Sequence, residues 1–268
     1  MPEGPEVRRI TDSLATAMKN KSINRAQIIS GRYVNHGPPE GFSDFVESLP
    51  LSINEISCKG KFIYIKLEND WTVWSTLGMA GTWTSSQKKH SRVKFELGDR
   101  NVFFTDVRNF GTLKFVKGYD KLEKKLDSLG PDMLKGEPTD AQFIYAMRKK
   151  NNRTVVEALM NQSVISGVGN YLKSESLYLS KISPHRDIST LSDSELSNLN
   201  GCIKVIILSS YLSGGATIHT FENFNGEIGE YSRKFAVYNQ KADPRGLGVI
   251  REKTRDGRTT FWVPEVQK

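Results

Sequence analysis

After Gly60 the chain runs through KFIYIKLE, WTVWSTLG, SRVKFELG, NVFFTDV and GTLKFVKG, short segments rich in β-branched and aromatic residues and punctuated by Gly, Asn and Asp. Such residues fit a pleated, half-buried surface, and their regular spacing predicts a β-sandwich or barrel here. Ahead of it Val7, Ile10, Leu14 and Met18 recur at three- and four-residue spacing between Glu3 and Lys19. That stripe predicts an amphipathic helix docked on something larger, beginning almost at the first residue. Its opening, MPEGPEV, places Pro where a missing N–H costs nothing and Glu at the positive end of the helix dipole.

The texture changes at LGPDMLKGEPTD, where Gly130-Pro131 and Gly136-Glu137-Pro138 break regular structure. Helical patterns follow. Phe143, Ile144 and Met147 fit one helix, Val155, Val156 and Leu159 a second, and YLKSESLYLSKI a third after the turn SGVGN. A fourth carries Leu196, Leu199, Ile203 and Ile206 on its apolar face, with Ser192 or Ser194 as cap and Gly214-Gly215 as its close. In the tail, VIREKTRDGRTTFWV reads as two strands about a short turn containing Asp256-Gly257, with Arg258 close to the tip. The fold class expected is α+β and multidomain: an N-terminal β-sandwich domain with flanking helices over 1–130, a linker over 131–138, a helical domain over 139–213, and a loop region with a β-hairpin over 214–268.

At 268 residues, 37% hydrophobic and 25% charged, the chain is long enough for two domains with cores of their own and is not a disordered arm. It has no run of about 18 apolar residues to span a membrane and no basic-then-apolar leader, so an intracellular site of action is expected. Cys58 and Cys202 are far apart, which favours a reducing compartment over a disulfide scaffold. Lys and Arg outnumber Asp and Glu by 38 to 30, a net charge of +8 that points to a polyanionic partner.

The SGVGN turn, Ser166 to Asn170, lies between two helices. Its glycines permit close backbone approach and the next helix offers N–H groups to an anion. The stretch continues as GVGNYLKSESLYLSKISPHR, and it resembles the helix-two-turns-helix element of the formamidopyrimidine-DNA glycosylase and endonuclease VIII family. The opening PEGPEV is similar to that family's amino terminus, STLGMAG to its loop that inserts a Met into the gap left by an extruded nucleotide, and DVRNFG to the segment whose Arg and Phe fill the rest. CKGKF, LGPDML and GRTTFW resemble further family motifs, so the likeness runs from the first residues to the last hairpin.

The resemblance implies a base-excision-repair glycosylase with abasic-site lyase activity that acts, as a monomer and without a cofactor, on damaged DNA. Met79, Arg108 and Phe110 would fill the gap, Asn170 with Gly167 and Gly169 would meet a DNA phosphate, and Lys61 and Arg258 would clamp phosphates beside the flipped nucleotide. Pro2 would be the nucleophile. Elementary chemistry agrees, because an α-amino group has a reference pKa of about 7.7–8.0 against about 10.4 for Lys, so much of it is already unprotonated near neutral pH. A secondary amine on the sugar C1′ gives an iminium that stays cationic and draws electrons for elimination. Attack requires removal of Met1. Glu3 would act as the general acid at the sugar oxygen, with Glu6 as its proton-handling partner.

The likeness has gaps. Most members close the tail with four Cys about a zinc ion, whereas here ADPRGLG and VPEV stand in their place, so no metal is expected and the hairpin resembles the zincless-finger branch. Thr76 stands where many relatives have His, and Val155-Val156 where many bacterial members carry Lys. Gly4 resembles the branch that acts mainly on oxidised pyrimidines, and part of TFENFNGEIGEYSRKFAVY, residues 220–238, is expected to line the lesion pocket. Other readings are a purine-directed enzyme, a lesion-binding protein whose chemistry has lapsed, and an RNA- or ribosome-associated module.

Overall fold

The structure, a computed structural model, describes residues 2–216, 224, 226 and 228–268. Met1 and several residues of the 220–238 stretch lie outside them, and with them the expectations on Met1 removal and on much of the lesion pocket. The chain forms two compact units. One holds Pro2, Glu6–Asp127 and the described residues of 214–229; the other holds Glu3–Pro5, Ser128–Ser213 and Glu230–Lys268. Residues 131–138 thus belong to the second unit, and the tail beyond Ser213 divides between the two.

α1 (Gly4–Met18), which belongs to the first unit from Glu6 onward, buries Val7, Ile10, Leu14 and Met18, the stripe read from the sequence. The strands are β1 (Ser22–Ile23), β2 (Arg25–Ile28), β3 (Leu51–Lys59), β4 (Phe62–Leu67), β5 (Trp71–Thr76), β6 (Gly81–Thr84), β7 (Ser91–Glu96), β8 (Asn101–Asp106) and β9 (Thr112–Lys117). They pair antiparallel in two sheets, ordered β1-β3-β4-β5-β9 and β2-β7-β8-β6. Ile63, Ile65, Val73 and Phe115 of one sheet and Trp83, Phe95 and Phe104 of the other share a single core with α1, so the sandwich is the architecture observed. Three further short helices, α2 (Arg32–Asn35), α3 (Phe42–Glu47) and α4 (Tyr119–Asp127), flank it. The five apolar runs are β4, β5, β7, β8 and β9. By contrast β3, LSINEISCK, sets Asn54 and Glu55 side by side at a bulge between Ile53 and Glu55, and this break in the alternation masks it in the sequence.

The second unit has α5 (Asp140–Arg148), α6 (Val155–Met160), α7 (Asn170–Leu179) and α8 (Asp193–Leu212). Capping boxes start three of them: Thr139 with Gln142, Thr154 with Glu157, and Ser192, rather than Ser194, with Glu195. The fourth, α7, begins after Gly169, which has no side chain to cap it. The hairpin pairs β10 (Ile250–Lys253) with β11 (Thr259–Trp262). The hairpin closes in the turn expected from the sequence: beyond the Lys253–Thr259 pair the Thr254 N–H donates to the Arg258 carbonyl at 3.0 Å and the Gly257 N–H to the Thr254 carbonyl at 2.8 Å, with Gly257 (φ 74°) in the left-handed position.

Candidate active site

In the second unit the bare start of α7 is completed by a residue far away in sequence. Glu3 Oε1 accepts the Tyr171 N–H at 2.9 Å and Oε2 the Leu172 N–H at 3.2 Å. A carboxylate suits this place, because the first N–H groups of a helix lack partners and its dipole favours negative charge. The Gly4 N–H donates to the Gly167 carbonyl at 2.9 Å, and a Cβ on Gly169 would lie 2.2 Å from the Glu3 carboxyl carbon. The expectation that these N–H groups are open to a phosphate is therefore corrected: the anion they hold is Glu3, and Gly167 and Gly169 are buried glycines that seat it.

Gly4 has its own packing reason, since a Cβ there would come within 3.1 Å of the Gly167 carbonyl oxygen. Asn170, the first residue of α7, donates Nδ2–H to the Thr259 carbonyl at 2.8 Å and so ties the helix to the hairpin. Beside it Lys173 makes a buried ion pair with Asp256 at 2.6 Å, the two side chains 0% and 3% exposed. Burial drives the Lys173 ammonium below its ordinary pKa, and Asp256 opposes that pull. Asp256 also accepts the Thr254 hydroxyl and the Arg258 N–H, which fixes the loop that carries the exposed Arg258. Burial pushes the Tyr238 hydroxyl up, with Asn170 and the charge of Arg258 opposing it and that of Glu3 adding to it. Glu3, Asn170 and Arg258 thus all bear on the Tyr238 hydroxyl in this unit. Lys173 was not singled out from the sequence, where it is one Lys in a helical run; its 0% exposure marks it.

The first unit carries the remaining candidates. Pro2 and Glu6 are buried, and Glu6 Oε1 accepts the Ala216 N–H at 2.7 Å. Lys61 lies at the β3–β4 turn, where Gly60 (φ 57°) takes the left-handed position between the paired Lys59 and Phe62. Met79 and Phe110 are 44% and 54% exposed, on the loops after β5 and β8. The Arg108 guanidinium stacks over the Phe110 ring at 5.3 Å. The two loops meet, for a Cβ on Gly78 would lie 2.6 Å from the Phe110 carbonyl carbon. Thr76 hydrogen-bonds Thr112 at 2.7 Å, joining the strands beneath them. Val155 and Val156 are fully buried and serve the helical core.

The hairpin residues do not fit a tetrahedral zinc. Val263, where VPEV replaces a Cys-x-x-Cys, packs with Phe261 and Val237 in an apolar cluster, and the described residues hold no group of three or more His, Cys, Asp or Glu side chains placed to bind a metal. Among the same residues no helix is long and apolar enough to cross a membrane.

Profiles of the formamidopyrimidine-DNA glycosylase N-terminal, helix-two-turns-helix and C-terminal domains match residues 1–113, 129–222 and 227–268 in that order. The chain belongs to the formamidopyrimidine-DNA glycosylase family. Among its relatives are the formamidopyrimidine-DNA glycosylases of Listeria innocua, 31% identical with all of both chains covered, and of Shouchella clausii, 32% identical over all of this chain and 99% of that one. In fold it is similar to a Lactococcus lactis family member in complex with a Fapy-dG-containing DNA, at a TM-score of 0.87 and 25% identity with both chains covered in full. A Thermus thermophilus protein matches at a TM-score of 0.86 and 24% identity over 99% of this chain and 98% of that one.

Proposed function

We propose that the chain removes oxidised bases from DNA and then cuts the strand at the abasic site, using the Pro2 amine as nucleophile. The observation that carries this reading is the seating of Glu3: a carboxyl group one peptide bond from the amine is fixed by two backbone N–H groups and by a glycine that leaves room for nothing larger. Residues 2–6 are buried, whereas the first residues of most domains fray. A buried, positioned amine is what a covalent step on a sugar carbon requires.

In this mechanism the Pro2 nitrogen lone pair forms a bond to C1′ as the bond from C1′ to the base breaks, and the departing base takes up a proton. The Glu3 carboxylate takes the proton that leaves the Pro2 nitrogen and delivers it to the sugar ring oxygen, and the opened sugar is held to Pro2 as an iminium. The cationic nitrogen acidifies C2′. Loss of that proton expels the 3′ phosphate in a β-elimination, and a second elimination, which we also assign to this chain, releases the 5′ phosphate. Glu6, whose carboxylate is anchored on the Ala216 N–H, is a second proton carrier. Lys61, Asn170 and Arg258 hold phosphates, and Met79, Arg108 and Phe110 occupy the space left by the extruded nucleotide, offsetting an unstacking cost of a few kcal/mol.

Borohydride reduction with abasic-site DNA tests the reading. A protein with free Pro2 is expected to give a covalent adduct that maps to Pro2 by mass spectrometry, with trapping sharply reduced in Glu3→Gln; an adduct at any other residue, or none, overturns it. Oxidised pyrimidines are the substrate class proposed, on the likeness of the tail to the zincless-finger, endonuclease VIII-like branch. Gly4 adds little, given its packing role. A formamidopyrimidine preference is the second reading, favoured by the names of the relatives and by the Fapy-dG complex among the similar structures. Excision rates on a matched pair of duplexes, one with an oxidised pyrimidine and one with a formamidopyrimidine purine, decide between them.

A further inference from the structure

Arg32 lies outside every motif that carries the family likeness, yet its guanidinium grips the loop that bears Arg108 and Phe110. Nη1 donates to the Asn109 carbonyl at 3.1 Å, and Nη2 donates to the Gly111 carbonyl at 2.7 Å and to the Tyr33 hydroxyl at 3.0 Å. That hydroxyl accepts the Leu113 N–H at 3.0 Å. From the other side the buried Asp106 carboxylate accepts the Arg108 N–H at 3.0 Å and the Gly111 N–H at 2.6 Å, while Arg92 Nε donates to the Asp106 carbonyl at 2.8 Å. Asn109 sits between these ties in the left-handed region, at φ 57°. The backbone on both sides of Phe110 is therefore held by charged groups, although its side chain is 54% exposed.

A side chain that must enter a base stack acts best from a backbone that need not be ordered at the moment of entry, because ordering a loop on binding subtracts from the interaction gained. We propose that Arg32 is a positioning residue for the wedge: it sets the loop conformation from which Phe110 and Arg108 enter the duplex and, through the Gly78 contact with Phe110, the height of the Met79 loop. The proposal rests on the damaged-DNA function above. Its planar fork matters, since Lys in its place could hold one carbonyl but not both.

Single-turnover excision of one oxidised base, measured in a duplex and in the same single strand, tests the assignment. The single strand has no opposite base and no paired stack to hold open, so a wedge defect spares it. Arg32→Ala is expected to slow the duplex reaction roughly tenfold to a hundredfold while leaving the single strand within about twofold; Arg32→Lys, which keeps the charge and is the safer variant to fold, loses less in the same direction. Arg32→Ala added to Phe110→Ala should cost little beyond Phe110→Ala alone, as for groups acting through one contact. Equal losses on both substrates, or additive losses in the double variant, overturn the proposal.

A duplex with an abasic analogue beside 2-aminopurine separates failure of the catalytic reading from failure of the wedge assignment. If the wild-type protein raises the fluorescence without cleaving natural substrate, the catalytic reading alone fails, and loss of the rise in Arg32→Lys still supports the wedge assignment. No rise with wild-type protein, or an undiminished one with both Arg32 variants, sinks it.

Discussion

A methyl group on residue 169 would lie 2.2 Å from the Glu3 carboxyl carbon and 2.5 Å from Oε1. Both the start of α7 and the carboxylate are buried, so Gly169→Ala must displace one of them. Overpacking of this kind costs about 1–3 kcal/mol, and the displaced group is the one on which the proposed chemistry rests. We expect a urea midpoint lowered by that amount and a borohydride-trapping rate that falls much further than the stability loss explains; an unchanged trapping rate would separate Glu3 from catalysis. Pro2 and Glu3 were legible as residue types suited to amine chemistry, and the likeness gave them roles. What Glu3 rests on was not legible, because Tyr171 is 168 positions away. A local reading pairs a first-turn Glu with its own helix, and here the tertiary fold gives it another.

Among the elements, those with strong periodicity or a local cap were readable: α1, the capped α8 and the five β-branched runs follow the sequence signals closely. The hairpin and its turn were readable, but not the inward reach of the Asp256 carboxylate to Lys173, which lies 83 positions away. Breaking a buried pair by removing one partner costs about 3–5 kcal/mol, since the other charge stays buried. Asp256→Asn should therefore lower the thermal midpoint markedly, whereas a chelator should leave both the midpoint and the cleavage rate unchanged; a chelator-sensitive midpoint would mean that a metal holds the hairpin after all. The cap of α6 makes a second prediction. Burial raises the pKa of Glu157, but the N–H and hydroxyl of Thr154 and the Arg153 guanidinium outweigh it and hold the carboxyl below its ordinary 4.5. A carboxyl lowered in the folded state contributes stability above the unfolded value, and that contribution is lost as pH falls through the folded one. Glu157→Gln should thus destabilise the protein near pH 7 and flatten the fall in stability below about pH 4.5; parallel pH profiles for the two proteins would refute the role of this cap.

For the whole molecule, the net charge of +8 is the coarsest signal in the sequence, and it says nothing about where a polyanion would lie. Many of those charges are spent on the protein itself: Lys173 on Asp256, Arg148 on Asp193, Lys124 on Asp120. Arg258, exposed on a loop fixed by Asp256, and Lys61, at a hairpin turn, are the cations proposed to meet phosphate. The distinction is measurable, because each phosphate neutralised releases condensed counterions and steepens the fall of log K with log salt by about 0.9 for duplex DNA. Binding to a duplex with an uncleavable abasic analogue, titrated from low to moderate salt, should lose about one unit of slope in Arg258→Ala. Lys124→Ala removes the same formal charge from an exposed helical pair and should leave the slope as it was. If both variants lower the slope alike, the protein reads DNA through its overall charge, and the placement of Arg258 by the hairpin loop does not determine where the strand is held.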